Sequence, residues 1–168
     1  MNAISREPAE ILLIDTDPQA QSAAAKVLER AGHTVFQARD RAAALRIASG
    51  QALDLVICDV HLGGESGLEV CRELRRLPGM QDIPVMFVSG SQLPDIIRRS
   101  HDAGGAYYLR KPLDPEVLTD LVTKALWLPH LVHSRLAMHE PAAKPVPPPR
   151  QLPTIREAAI QGIRLPLA

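Results

Sequence analysis

Leu53 to Leu68 reads L-D-L-V-I-C-D-V-H-L-G-G-E-S-G-L, and the fold follows from how polarity changes along it. Leu55, Val56, Ile57 and Cys58 form a short apolar run that stops abruptly at Asp59. A run of that length, rich in β-branched residues, predicts a strand buried on both faces. Gly63, Gly64 and Gly67 follow and allow tight backbone turns. Ser66 stands where it can cap a helix through Leu68, Val70, Leu74 and Leu77, with Cys71 on the same side. Asp59 is therefore expected at the carboxyl end of a central strand, above a loop, which is where ligands and chemistry gather in open α/β sheets. An Asp there is also an ordinary strand-ending turn residue, so the rest of that rim decides.

Upstream, Ile11 to Ile14 is a second continuous apolar run, ending in Asp15-Thr16-Asp17-Pro18. Pro18 suits the first turn of a helix and Asp17 its N-cap. Ala20, Ala23, Ala24, Val27 and Leu28 continue at helical spacing until Gly32. Thr34 to Ala38 predicts a short strand, and Asp40 caps a helix with Ala43, Ala44, Leu45, Ile47 and Ala48. Downstream, Pro84 to Val88 predicts a buried strand ending in Ser89-Gly90-Ser91. A weaker helix follows, with Ile96, Ile97 and Ala103 on its apolar side. Ala106 to Leu109 forms the last strand and runs into Arg110-Lys111-Pro112. Asp114-Pro115 opens a helix with Val117, Leu118, Leu121, Val122, Ala125 and Leu126 at i, i+3, i+4 spacing.

This is βα repeated five times, which implies an α/β fold: a doubly wound, five-stranded parallel sheet with helices on both faces. Five strands favour the flavodoxin-like order 2-1-3-4-5. In that order the first and third strands are neighbours, so Asp15 and Asp59 share one rim, and the next two strands bring Ser89 and Lys111 beside them.

The 168 residues suffice for one domain and some excess. Formal net charge is zero, which gives no general attraction to nucleic acid or anionic membrane. Residues 1–126 nevertheless carry 14 Lys and Arg against 17 Asp and Glu, and residues 127–168 carry 5 against 2. No apolar run is long enough to span a membrane, and the N-terminus lacks the apolar segment of a signal peptide. Cys58 and Cys71 lie within strand and helix patterns, as reduced core residues of a cytoplasmic protein would.

Two neighbouring carboxylates repel unless a cation or proton intervenes. A hard ion such as Mg²⁺ takes oxygen ligands and needs few protein carboxylates. A lysine ammonium completes the charge balance and can hold a phosphoryl oxygen, and a serine hydroxyl can donate to another. Such a set suits phosphoryl transfer onto Asp59, where catalysis is mostly positioning and charge stabilisation. The bland alternative is a buried Lys–Asp pair with no chemistry.

The segments I-L-L-I-D-T-D-P (11–18), D-L-V-I-C-D-V-H-L-G-G-E-S-G-L-E-V (54–70), P-V-M-F-V-S-G (84–90) and G-A-Y-Y-L-R-K-P (105–112) resemble, in order and spacing, the CheY-like response-regulator receivers of two-component signalling. The resemblance covers about residues 10–126. It implies that Asp59 accepts a phosphoryl group from a sensor histidine kinase or phosphotransfer protein and that the change is read by a downstream effector protein. It further implies that Asp15, Asp59 and the His61 backbone carbonyl hold Mg²⁺, that Lys111 and Ser89 contact the phosphoryl group, and that the Lys111–Pro112 bond is cis. Ser89 and Tyr108 are then the switch pair. Such a domain is no ordinary enzyme and at most catalyses its own phosphorylation and dephosphorylation.

Two departures bear on the metal. The family usually has a second acid after the first, but Pro18 fixes the register and puts Thr16 there, a poorer ligand than a carboxylate. Asp17 is close but committed to capping. Magnesium is therefore expected to bind weakly. Gly63 stands where the family often has proline, which loosens the loop after Asp59.

Past Leu126 the composition changes. Residues 127–140 have the pattern of an extra helix, 141–153 form a proline-rich linker, and 154–168 hold a capping-box pattern opening a short helix and tail. Residues 1–9 are an N-terminal extension. The apolar stripe of Ile155, Ala158, Ala159, Ile160 and Ile163 would dock on the chain's own domain or on a second copy, as in a homodimer. The sequence shows no output domain and implies no direct nucleic-acid or membrane partner. Rival readings are a degenerate receiver that works without phosphate, the receiver part of a longer DNA-binding regulator, and a flavin-binding protein. The last is disfavoured by the negative charge of Asp15 and Asp17 in the first loop.

Overall fold

The computed structural model describes residues 8–91 and 95–137, with side-chain detail to Trp127. In chain order it runs β1 (Glu10–Ile14), α1 (Pro18–Arg30), β2 (Thr34–Ala38), α2 (Arg41–Gly50) and β3 (Leu55–Asp59). A two-strand hairpin follows, β4 (His61–Leu62) and β5 (Glu65–Ser66). Then come α3 (Gly67–Leu74), β6 (Val85–Ser89), α4 (Ile96–Asp102), β7 (Tyr107–Arg110) and α5 (Pro115–Ala137). The long strands form one parallel sheet in the order β2-β1-β3-β6-β7, which is the expected winding once the small hairpin is set aside.

Side chains alternate across this sheet and divide the core in two. Leu12, Ile14, Val56, Cys58 and Phe87 face α2, α3 and α4 through Ala44, Leu68, Val70, Cys71, Leu74 and Ile96. Ile11, Leu13, Leu55, Ile57, Met86 and Val88 face α1 and α5 through Ala24, Ala25, Leu28, Leu118, Val122 and Ala125. Burying each large aliphatic side chain contributes roughly 1.5–3 kcal/mol, so the runs that define the strands also fix the layers. Both cysteines are free and buried.

Four expectations need correction. The buried stripe of α1 is Gln21, Ala24, Ala25 and Leu28, while Ala23 is exposed. Ile97 is 63% exposed, and Ser100 takes the inward place beside Ile96 and Ala103. Val117 is likewise exposed, because Leu118, Val122 and Ala125 already fill the contact with the sheet. The α3 helix ends at Leu74, short of Leu77, and Ser66 sits at its N-cap without a side-chain bond, being paired to His61 in the hairpin.

The segment 127–137 belongs to α5, which runs on without a break from Pro115 to Ala137. Pro129 lies inside it and removes one backbone donor without ending the helix. The expected extra helix is thus a continuation over residues 127–137. The linker, the short terminal helix and residues 1–7 lie outside the described residues.

Candidate functional site

Parallel winding brings the carboxyl ends of β1, β3, β6 and β7 to one edge. Ile14 pairs with Cys58, Asp59 with Val88 and Ser89 with Arg110. Asp15 therefore leaves β1 beside the Asp59 end of β3. Lys111 leaves β7 with its backbone N–H on the Ser89 carbonyl at 2.9 Å. The Lys111–Pro112 peptide is cis.

Lys111 Nζ donates to Asp15 Oδ2 and Asp59 Oδ2, each at 2.5 Å. Asp15 and Asp59 are buried, with 3% and 7% of their surface exposed. Their other oxygens accept backbone donors: Asp15 Oδ1 from Asp17 N–H and Asp59 Oδ1 from His61 N–H, both at 2.9 Å. Burial is the largest influence on Lys111 and pulls its pKa down. The hydrogen bonds and charges of Asp15 and Asp59 together outweigh it, so the ammonium is held above the usual lysine value. One cation thus balances part of the charge of two carboxylates.

Below the rim, Gly67 touches the phosphoacceptor candidate. Its N–H bonds the Val60 carbonyl at 2.8 Å, and a Cβ added there would overlap the Asp59 carbonyl oxygen. Cys58 packs beside it, its Sγ donating to the Asp59 carbonyl at 3.2 Å. Burial, then the contact with Cys71, pushes the Cys58 thiol well above its usual range, so it stays protonated.

The expected site residues fall into two groups. Asp15, Asp59 and Lys111 are joined directly, and His61 touches Asp59 through its backbone while its side chain is exposed. Ser89 is fully buried and its hydroxyl accepts Ser91 N–H at 3.0 Å, so it stands on the rim without bonding the other three. Tyr108 is half-buried against the Phe87 side of the core. Thr16 is exposed, and a Cβ placed on Gly63 would lie 3.5 Å from its methyl. Thr16 thus faces the β4–β5 turn.

One participant escaped the sequence reading. Gln21 is 1% exposed and bonds the carbonyls of Leu13 and Ala38 beside Asp15. The available signal was its place at position i of an i, i+3, i+4, i+7 stripe with Ala24, Ala25 and Leu28. Next to Lys111, a groove of about 480 Å³ runs between α1 and α5, lined by Ala20, Ala24, Val27, Leu113 and Leu118 among others.

A doubly wound sheet whose rim holds two buried aspartates on one lysine defines a domain equipped to handle a phosphoryl group or another small anion beside a carboxylate. The sequence model of the response regulator receiver domain matches residues 11–123, and the chain belongs to that family, the signalling modules of two-component systems. It is 37% identical over 113 residues to the sensor histidine kinase AruS of Pseudomonas aeruginosa, a match covering 66% of this chain and 11% of that protein. It is 37% identical over 107 residues to the DNA-binding dual master transcriptional regulator RpaA of Synechocystis, covering 63% and 44%. The match thus spans less than half the length of either. The chemotaxis protein CheY4 of Vibrio cholerae shares the fold, with TM-score 0.67 and 24% identity over 71% of this chain and 99% of that one. The receiver domain of a Pseudomonas aeruginosa sensor histidine kinase, solved with magnesium coordinated in its active-site cleft, has TM-score 0.65 and 25% identity, covering 71% and 98%.

Receivers bind magnesium in the active site. The donors present here fit such an ion: two carboxylates converge at one rim, within the one or two that magnesium requires. No cluster of three His, Cys, Asp or Glu side chains forms among the described residues. No helix among them is long and apolar enough to cross a membrane.

Proposed function

We propose that Asp59 is the phosphoacceptor of this receiver and that its phosphorylation changes contacts with a separate protein. The observation that carries this reading is the shared hold of Lys111 on Asp15 and Asp59. A carboxylate oxygen of Asp59 forms the new O–P bond as the P–N bond to a donor histidine breaks, and the electron pair leaves with the imidazole. Asp59 lies in the rim with its orientation fixed by His61 N–H, so little reorganisation precedes attack. Lys111 turns from the carboxylates toward a phosphoryl oxygen, to which its ammonium donates. Ser89 exchanges its bond to Ser91 N–H for one to the phosphoryl group, and Tyr108 responds beside it.

Asp15, Asp59 and the His61 carbonyl would hold magnesium, which when bound neutralises negative charge on the transferring group. Thr16 supplies no carboxylate, so affinity is weak. The donor is a sensor kinase or phosphotransfer protein, and the apolar groove between α1 and α5 that borders Lys111 is a surface that suits it. Treating the protein with acetyl phosphate and Mg²⁺ should add one phosphoryl group by intact mass, absent in Asp59→Asn. Equal labelling of that variant overturns the assignment.

A second reading, a receiver that works without phosphate, is favoured by the exposed Thr16 and by a lysine that already satisfies both carboxylates. Absence of any label with Mg²⁺ present would select it.

A further inference from the structure

Gln21 is a polar side chain at the head of the buried stripe of α1, which continues with Ala24, Ala25 and Leu28, and it is almost wholly buried. Its Nε2 donates to the Ala38 carbonyl at 2.7 Å and to the Leu13 carbonyl at 3.3 Å. Ala38 is the last residue of β2, and Leu13 lies two residues before Asp15. The Ala38 carbonyl takes a second donor, the Asp15 backbone N–H, at 3.1 Å. The remaining atom, Gln21 Oε1, accepts from Arg39 Nε at 3.4 Å. Two carbonyls can only accept, so the amide nitrogen must face them, and the orientation of the side chain is fixed by its partners.

A methionine or leucine would fill this volume at no desolvation cost, whereas a buried amide is tolerated only when bonded. Each of these bonds goes to the end of β1, the end of β2 or the residue after it, the two strand ends that carry the Asp15 turn. We propose that Gln21 is a positioning residue: it clamps β1 to β2 under Asp15 and so sets where the Asp15 carboxylate meets Lys111 and Asp59. It touches neither the reacting atoms nor a ligand and acts through the backbone of Asp15. Its consequence for phosphorylation rests on the phosphoacceptor reading above.

The test uses the full chain. Gln21→Met keeps the volume and removes the bonds. Gln21→Glu keeps the shape and sets an acceptor against two carbonyls. Leu28→Ala is the control, a buried α1 side chain in the core that bonds nothing on the rim. Two quantities are read: hydrogen exchange of the Asp15 amide relative to that of Val56 in β3, and the rate and Mg²⁺ midpoint of labelling by acetyl phosphate. Loss of alignment at a reacting site costs about tenfold or more in rate, so both Gln21 variants should label about tenfold slower at saturating Mg²⁺. They should also raise the Asp15-to-Val56 exchange ratio. Leu28→Ala should lower the melting temperature and leave the ratio and the midpoint unchanged. If Gln21→Met matches the wild type in both readings, or Leu28→Ala reproduces its effects, the clamp is overturned and Gln21 is core filling. If the wild type takes no label, the phosphoacceptor reading fails, and the exchange ratio in the unlabelled proteins alone decides the clamp.

Discussion

α1 and α4 stand at opposite sides of the same rim, and they are built to different standards. α1 starts at a capped end: Asp17 accepts from Gln19 N–H and Ala20 N–H, with Pro18 in the first turn. It runs 13 residues and buries four of them in a continuous stripe. α4 has 7 residues, an N-cap Asp95 whose side chain accepts no capping bond, and only Ile96 and Ser100 buried along its length. Ile97 faces outward, and the buried Ser100 hydroxyl has no partner among the described residues. Few buried contacts and missing caps mark the low-stability end of a fold. The contrast teaches that the acid side of the site is held in place while the helix beside Ser89 is lightly attached, as suits a module that fixes its chemistry and moves its readout.

The largest break in that contrast would come from Lys111, which ties the acid side together. Lys111→Met leaves two buried carboxylates uncompensated and should lower stability by about 3–5 kcal/mol at pH 7, read from urea unfolding. The pH dependence has a definite sign. A raised lysine pKa gives stability that is complete below the ordinary value of about 10.4 and is lost as pH rises through the higher folded value. The gap between wild type and variant should therefore be flat through neutrality and close only above that range. A gap that closes by pH 8 would mean that Lys111 is not holding the rim.

Thr16→Asp sharpens the comparison by adding charge to the held side. It should tighten Mg²⁺ in calorimetric titration and lower the melting temperature of the metal-free protein, at a cost of about 1 kcal/mol. Equal affinity in the wild type would show that the missing carboxylate is replaced by another oxygen. The caps compare the two helices directly. Asp17→Ala should cost about 1 kcal/mol, whereas Asp95→Ala should stay within about 0.5 kcal/mol. Equal losses would erase the difference between α1 and α4. The smallest effect belongs to Ser100→Ala, which removes an unbonded buried hydroxyl and should be neutral or stabilising by up to about 1 kcal/mol. A clear loss in thermal unfolding would reveal a partner for Ser100.

What was legible in the sequence was whatever depends on local pattern. The runs at Ile11–Ile14, Leu55–Cys58 and Val85–Val88 became central strands, and alternation with helices fixed the winding order. Asp17 and Asp40 cap the helices as their positions suggest. Asp15, Asp59 and Lys111 met because strand ends in this topology share an edge. What depends on three-dimensional neighbours was not legible. Gln21 reads as polar and hence exposed, until two strand-end carbonyls need donors. Ile97 and Val117 read as apolar and hence buried, but each lies one step off a face already filled by its neighbours. Pro129 removes a backbone donor, yet α5 continues through it.

Gly67 carries a consequence for the gene. Its backbone lies so close to the Asp59 carbonyl that even a methyl group overlaps it. Every missense change in a glycine codon adds at least that much, so any replacement encoded at position 67 must shift the Asp59 strand end.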